Sequence, residues 1–465
     1  MGLFLLQHTP AMLIRFRAAN LYSFKEEIEF SMIPSPERIH PHQIFPKKKK
    51  NDIRLNRFAA VYGANAAGKS NLVKVLKFAQ EMVVSGVKPE ATIPIQRFRL
   101  SQDCLQSPAK FEIEFKVGEQ MYEYGFELDS RFIHREWLIN FTRTSEKTLF
   151  ERTTDQNGKA KLEFGSFVNK LSKKEKLFLE FAGEGTRPNQ LFLNESIDSN
   201  MGYFRSAYDW FHKVLTVIEP MDIDIPVELE ISNDNQDFNT FLNKILRDAD
   251  TGITSIKTEK VELDDLEDIS EQAAESLKES LSDADAFFVK SRQFRLTAVK
   301  EDDHIYLFKL VPNHQTLNGK EEAIFEFYEE SDGTQRLIDL VPVLYELLFE
   351  EDERVFVVDE FDRSLHPQLS RMIVELHLDD KNSTHPTQLI VTTHQTNILD
   401  LDLLRRDEIW FVEKKPETGA TDLYSLYDFQ PRYDKNIRKD YLYGRYGAIP
   451  FLGNMSALKL PSKKK

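Results

Sequence analysis

Along residues 111–128 apolar and polar positions alternate, with Phe111, Ile113, Phe115 and Val117 in one run and Tyr122, Tyr124, Phe126 and Leu128 in the next. A period of two places each set on one face of an extended chain, and the break at Gly118, Glu119 and Gln120 predicts a β-hairpin. Strand-like runs continue to about Gly165, which predicts an antiparallel β lobe. Elsewhere the period lengthens. Leu72, Val73, Leu76, Lys77 and Phe78 follow helical spacing, as do Tyr208, Phe211, Val214 and Leu215, then Phe238, Phe241, Leu242, Ile245 and Leu246. The stretch from Tyr203 to about Ser291 is therefore expected to be mainly helical, and Leu337 to Leu348 form a further helix. Three short strand-like runs follow, the apolar Phe58 to Tyr62, the apolar and β-branched Val355 to Val358, and Gln388 to Thr393, each with the length of a buried strand.

The first of these strands runs directly into Gly63, Ala64, Asn65, Ala66, Ala67, Gly68, Lys69, Ser70 and Asn71, which contain the pattern G-x-x-x-x-G-K-[ST]. A strand, a glycine-rich turn and a helix start make a phosphate cradle: the glycines let the backbone curl, and amide groups at the helix start point at an anion. Lys69 would reach the β- and γ-phosphates of ATP, and Ser70 would hold Mg²⁺. The second strand ends in Asp359 and Glu360. Alone, such a run is an ordinary core strand with a charged turn. Beside a phosphate loop it is a Walker B strand, delivering Asp359 toward the metal and Glu360 toward the water that attacks the γ-phosphate. The third strand leads to His394, a natural position for a γ-phosphate sensor, although a lone histidine at a strand end is more often structural. The expected cofactors are ATP and Mg²⁺, and the expected catalytic residues are Glu360, His394 and Lys69.

Ser331, Asp332, Gly333, Thr334 and Gln335 stand just ahead of the Leu337 helix. By itself S-D-G-T is a helix cap with a turn. In the order phosphate loop, S-D-G-T-Q, Walker B, Asp362 with Ser364, and His394, it resembles the signature and D-loop of ABC-type ATPases. The chain resembles the overcoming-lysogenisation-defect and RecF/SMC-related group of these ATPases, often labelled AAA15. Leu13 to Phe24, Asp359 to Pro367, Thr393 to Thr396 and Tyr443 to Pro450 all carry the resemblance, and size and motifs are most similar to the ATPase subunits of PARIS anti-phage systems. It implies an α/β ABC-type ATPase head, a P-loop mixed sheet with an antiparallel β lobe, interrupted by a mainly helical insertion. The expected layout is residues 12–200 for the first half of the head, 201–298 for the insertion, 299–455 for the second half, and a disordered basic tail at 456–465. It also implies a homo-oligomer in which Ser331 and Gly333 reach a nucleotide held by another protomer, a separate toxic effector such as a Toprim-type nuclease, and a phage-encoded trigger. The signature departs from the transporter pattern in lacking its leading leucine and second glycine, and Gln96 is a weak Q-loop candidate that reads equally as a surface turn.

Composition narrows the alternatives. The 465 residues can hold two or three domain-sized units. A single cysteine, Cys104, excludes an intramolecular disulfide and is expected to pack in the core. No apolar run approaches the ~18 residues of a membrane span, and Gly2 to Leu6 is too short for a signal sequence, so a cytoplasmic protein is expected. That, with 260 residues between Ser70 and Ser331, argues against a transporter subunit. An insertion of this size could form arms of only about 60 Å, and it lacks sustained heptads, so a long SMC-style coiled coil is excluded. Residues 261–285 carry ten acidic side chains against Lys278, a solvated face or a docking surface for a basic partner. With 61 basic and 76 acidic residues, the net charge of −15 repels a polyanion unless basic residues cluster. Lys47 to Lys50 with Arg54 and Arg57, and Lys290, Arg292 and Arg295, are the candidates. They keep open a competing class, a RecF-type ATPase that clamps DNA. After His394 only 71 residues remain, too few for a fused Toprim domain, so nuclease activity is expected in a separate chain.

Overall fold

A computed structural model describes residues 11–47, 52–142, 144–155, 158–220, 231, 235–262, 286–290, 295–301, 304–319, 321–350, 353–379 and 387–450. Internal packing divides the chain into two compact units, one of residues 1–219, 353–361 and 386–465, the other of residues 220–352 and 362–385.

The first unit is built on two sheets. One has six strands in the order Leu215–Ile218, Arg354–Val358, Thr387–Thr392, Phe58–Tyr62, Ile409–Lys414, Thr421–Ser425. The first five run parallel and the last antiparallel. All residues of Phe58–Tyr62 and Thr387–Thr392 are buried, as expected of parallel strands covered on both faces. The polar Gln388 is tolerated there because its side chain is fully bonded: it accepts from Leu13 N at 2.7 Å and donates to Leu13 O at 3.1 Å and Asn56 O at 3.0 Å. Those bonds tie this sheet to the second one.

The second sheet has seven antiparallel strands, ordered Ala160–Phe164, Glu146–Thr154, Ile133–Phe141, Gln120–Leu128, Ala109–Val117, Met12–Ala19, Ile28–Ser31. The expected hairpin is present, with Phe111 opposite Phe126, Ile113 opposite Tyr124 and Phe115 opposite Tyr122. Its loop is the two residues Gly118 and Glu119, and Gly118 takes a φ of 60°, which a side chain would disfavour. Phe111, Ile113, Phe115, Tyr124, Phe126 and Phe150 join the core with Trp210 and Phe211. On the other face Arg17 pairs with Glu29 at 2.7 Å and also with Glu112, and Arg15 pairs with Glu114.

The second unit holds an antiparallel sheet of Ile253–Glu262, His304–Gln315, Arg295–Glu301 and Ala286–Lys290, with Glu322–Ile324 added on His304–Gln315. Its helices include Gln236–Asp248, Asp332–Phe349 and Pro367–Leu378. The α/β class stands, but the helical expectation for 201–298 is corrected. Gln236–Asp248 and Arg205–Asp209 are helical, followed by a π-helical turn at Trp210–Val214, whereas Leu215–Ile218, Ile253–Glu262, Ala286–Lys290 and the start of Arg295–Glu301 are strands. Leu215–Ile218 pairs with Arg354–Val358, so partner hydrogen bonds override a helical-looking spacing. Ile253–Glu262 is rich in β-branched residues and pairs along its length with His304–Gln315. Residues 263–285, most of the acidic run, lie outside the described residues, as do Lys48 to Lys50, Arg292 and the tail from 451 onward. Among the described residues no helix is long and apolar enough to cross a membrane.

Candidate nucleotide-binding site

Strand register assembles the site. Val358 lies opposite Val391, and Val391 opposite Ala60, so the chain leaves three adjacent strands at one carboxyl edge. Open parallel sheets place their ligand crevice at that edge. Out of these strand ends come Gly63, Asp359 with Glu360, and His394, all in the first unit.

The loop Gly63 to Gly68 can only be glycine at its two ends. A Cβ on Gly63 would sit 2.6 Å from the Val412 carbonyl oxygen and from its Cγ2. Gly68 caps the Lys69–Val84 helix with φ 119°, and a Cβ there would lie 2.6 Å from Thr421 Oγ1. Ala66 also takes a positive φ of 62°, which holds the loop in a tight curl. Lys69 is the first helical residue and is buried. Its Nζ donates to Gly63 O at 2.8 Å and Ala64 O at 3.3 Å, and lies 3.5 Å from His394 Nδ1. The loop thus carries its own cation over an open backbone cradle, an arrangement that fits a polyphosphate.

Asp359 is 1% exposed and accepts from Thr392 Oγ1 at 2.5 Å and from Glu360 N at 3.1 Å. Glu360 N also donates to the Thr392 hydroxyl at 2.8 Å. Glu360 has φ 46°, a strained left-handed conformation for a side-chain-bearing residue, stabilised by these bonds and by Phe361 N donating to Thr392 O at 3.0 Å. Thr393 N donates to Val61 O at 3.1 Å, which seats the exposed His394 beside the phosphate-loop strand. Ser70 and Asp359 supply a hydroxyl and a carboxylate, hard oxygen donors of the kind Mg²⁺ takes, and Mg²⁺ bound there would neutralise phosphate charge.

Sequence reasoning missed the supports. Thr392 sits inside an anticipated strand, yet its hydroxyl organises both acidic residues. Thr421, 354 residues beyond Ala67, donates to Ala67 O at 2.8 Å and lies 2.8 Å from the Ser23 hydroxyl, which also accepts from Asn71 Nδ2 at 2.8 Å. No local motif marks Thr421, and Ser23 is marked only as part of the Leu13 to Phe24 segment, with no role in the loop. Gln96 is exposed on a loop, and its contribution is its carbonyl, which accepts from Tyr22 N at 2.7 Å. Burial, with Glu81 and Glu219 nearby, pushes the Tyr22 phenol up to about 12, so it stays protonated.

Ser331, Asp332, Gly333, Thr334, Gln335, Asp362 and Ser364 belong to the second unit. Ser331 caps the Asp332–Phe349 helix, its Oγ accepting from Thr334 N at 3.1 Å, and Gln335 Nε2 donates to Glu330 O at 2.8 Å. Ser331 and Asp332 are exposed, leaving the positive end of an 18-residue helix open. A Cβ on Gly333 would meet Ser364 O at 2.6 Å, so the start of the helix and the Asp362 to Ser364 turn approach closely here. Asp362 is buried, and Ser364 has φ 61°.

No curated protein matches the chain. Among solved structures it is similar to an SMC head domain from Thermotoga maritima, at 12% identity and a TM-score of 0.35, over 89% of this chain and 98% of that one. It is also similar to an SMC head bound to the C-terminal winged-helix domain of ScpA, at 12% identity and a TM-score of 0.41, over 89% and 97%. Residues 58–400 match the model described as "AAA domain, putative AbiEii toxin, Type IV TA system", and with its phosphate loop, acidic strand end and histidine at one sheet edge, the chain belongs to that AAA-domain ATPase family.

Proposed function

We propose that this protein is an oligomeric ABC-type ATPase whose nucleotide sites form between protomers. Lys69, Ser70, Asp359, Glu360 and His394 act from one subunit, and Ser331 and Gly333 from its neighbour. The observation that carries the reading is the convergence of the phosphate loop, the Thr392-held pair Asp359 and Glu360, and His394 at three adjacent strand ends. The exposed N-terminus of the Asp332–Phe349 helix supports a role for the signature toward a second nucleotide. In this reading Lys69 and the loop amides bind the phosphates, Asp359 and Ser70 hold Mg²⁺, and Glu360 orients the attacking water.

By its resemblance to the overcoming-lysogenisation-defect group and to PARIS ATPase subunits, the assembly would act in the cytoplasm in anti-phage defence. It would sense a phage-encoded trigger and hold or release a separate toxic effector, a Toprim-type nuclease being the favoured kind. The toxin and TA system named in the family's description support such a setting.

Two variants test the site. Lys69→Ala should lose binding of a fluorescent ATP analogue, and Glu360→Gln should bind it as well as the parent while hydrolysis stops. Equal affinity in wild type and Lys69→Ala would sink the assignment. For the biological role, affinity purification from the native host should recover a stoichiometric protein partner released by a phage factor. Recovery of DNA alone, lost when Lys47 to Lys50 are neutralised, would favour a RecF-type clamp instead.

A further inference from the structure

The helix Ile437–Leu442 follows the six-stranded sheet in the same unit and belongs to none of the nucleotide motifs. Arg438 and Tyr441 lie three residues apart on it, within about one helical turn. Tyr441 is 7% exposed. Its ring meets Tyr62 edge-on at 5.9 Å and stacks on Phe411 at 5.5 Å, and its hydroxyl donates to Ala448 O at 3.1 Å. Tyr62 is the last residue before Gly63, so this side of the helix is bolted to the strand that launches the phosphate loop. Arg438 reaches the other way: its Nε donates to Thr396 Oγ1 at 3.0 Å. Thr396 is two residues beyond His394, whose ring nitrogen lies 3.5 Å from Lys69 Nζ. One helical turn thus touches both the phosphate-loop strand and the histidine loop.

We propose that Arg438 is a positioning residue for ATP hydrolysis, tethering the loop of His394 to the helix that Tyr441 anchors on the phosphate-loop strand. The inference rests on the nucleotide-site reading above. Thr393 N fixes the start of the loop on Val61 O, and the Arg438 tether fixes its continuation, so His394 is held from both sides. The guanidinium suits this task because its donors lie in a rigid plane. Arg438 is exposed, so the bond contributes little to folding stability. A small displacement of a reacting-site group nevertheless costs much in rate, and the effect should appear in turnover rather than in melting or ATP affinity.

The experiment compares Arg438→Ala, Arg438→Lys, Thr396→Val and the Arg438→Ala/Thr396→Val pair in the full chain, by steady-state ATPase, ATP-analogue binding, thermal melting and amide hydrogen exchange across 393–399. Arg438→Ala is expected to lower kcat about tenfold, with KM, analogue affinity and melting temperature near wild type. Thr396→Val should give a similar loss, the double variant no more than the larger single loss, and Arg438→Lys a partial rescue, while exchange across 393–399 rises in Arg438→Ala. A kcat in Arg438→Ala equal to wild type with unchanged exchange, or a double variant showing the product of the single losses, overturns the proposal. Failure of wild type itself to bind or hydrolyse ATP would instead bring down the site reading on which it stands.

Discussion

Thr392 shows how much one hydroxyl can organise. It donates to Asp359 and accepts from Glu360 N, so it fixes a buried carboxylate and the backbone of a strained residue at once. Thr392→Val keeps the branched shape but removes the hydrogen bond to the buried Asp359 and the shorter of the two bonds that Glu360 N makes, losses of about 1–3 kcal/mol. The expected result is a kcat reduced about tenfold and a lowered melting temperature, read by ATPase assay and thermal unfolding; an unchanged kcat would show that the hydroxyl is only structural. Glu408 makes a separate test away from the site. Burial holds its carboxyl well above the usual carboxylate range, against the Arg405 backbone bond that pulls it down. Because the folded value exceeds the unfolded one, ionising Glu408 costs nothing below the unfolded value of about 4.3, and the cost grows as pH rises toward the folded value. The melting temperature of Glu408→Gln relative to wild type should therefore climb between pH 4 and pH 8, and a flat difference would contradict the direction of the shift.

At the scale of elements, the Asp332–Phe349 helix and the Asp362 turn are joined by a contact that admits no side chain. Gly333→Ala improves helix propensity by about 1 kcal/mol but drives a methyl to 2.6 Å from Ser364 O, an overpacking that costs about 1–3 kcal/mol. The steric term wins. A melting temperature lowered by a few degrees is expected, and a stabilised variant would mean the turn moves aside freely. The same logic explains the strand Leu215–Ile218. Its buried residues, apolar except for Thr216, suit a helix face or a strand, and pairing along Arg354–Val358 decides for the strand.

For the whole molecule, the proposed division of labour between protomers makes assembly depend on nucleotide. Glu360→Gln with ATP and Mg²⁺ should form a larger species than the nucleotide-free protein in light scattering, and Lys69→Ala should not. A mass independent of nucleotide in both would remove the composite-site reading while leaving ATP binding intact.

Local patterns along the chain already mark the candidate site residues and their nearest elements. Gly63 to Ser70, Val355 to Glu360, the Phe111 to Leu128 hairpin and the class of fold are written in spacings of a few residues, where turn geometry and side-chain period act locally. Which segments become neighbours is another matter, settled by burial and backbone pairing between parts of the chain hundreds of residues apart. Long-range packing alone sets Val412 over Gly63, braces the loop with Thr421 and Ser23, joins Thr392 to Asp359, and brings Arg438 to Thr396. Each is a contact between residues with no mutual spacing rule, so no local pattern could announce it.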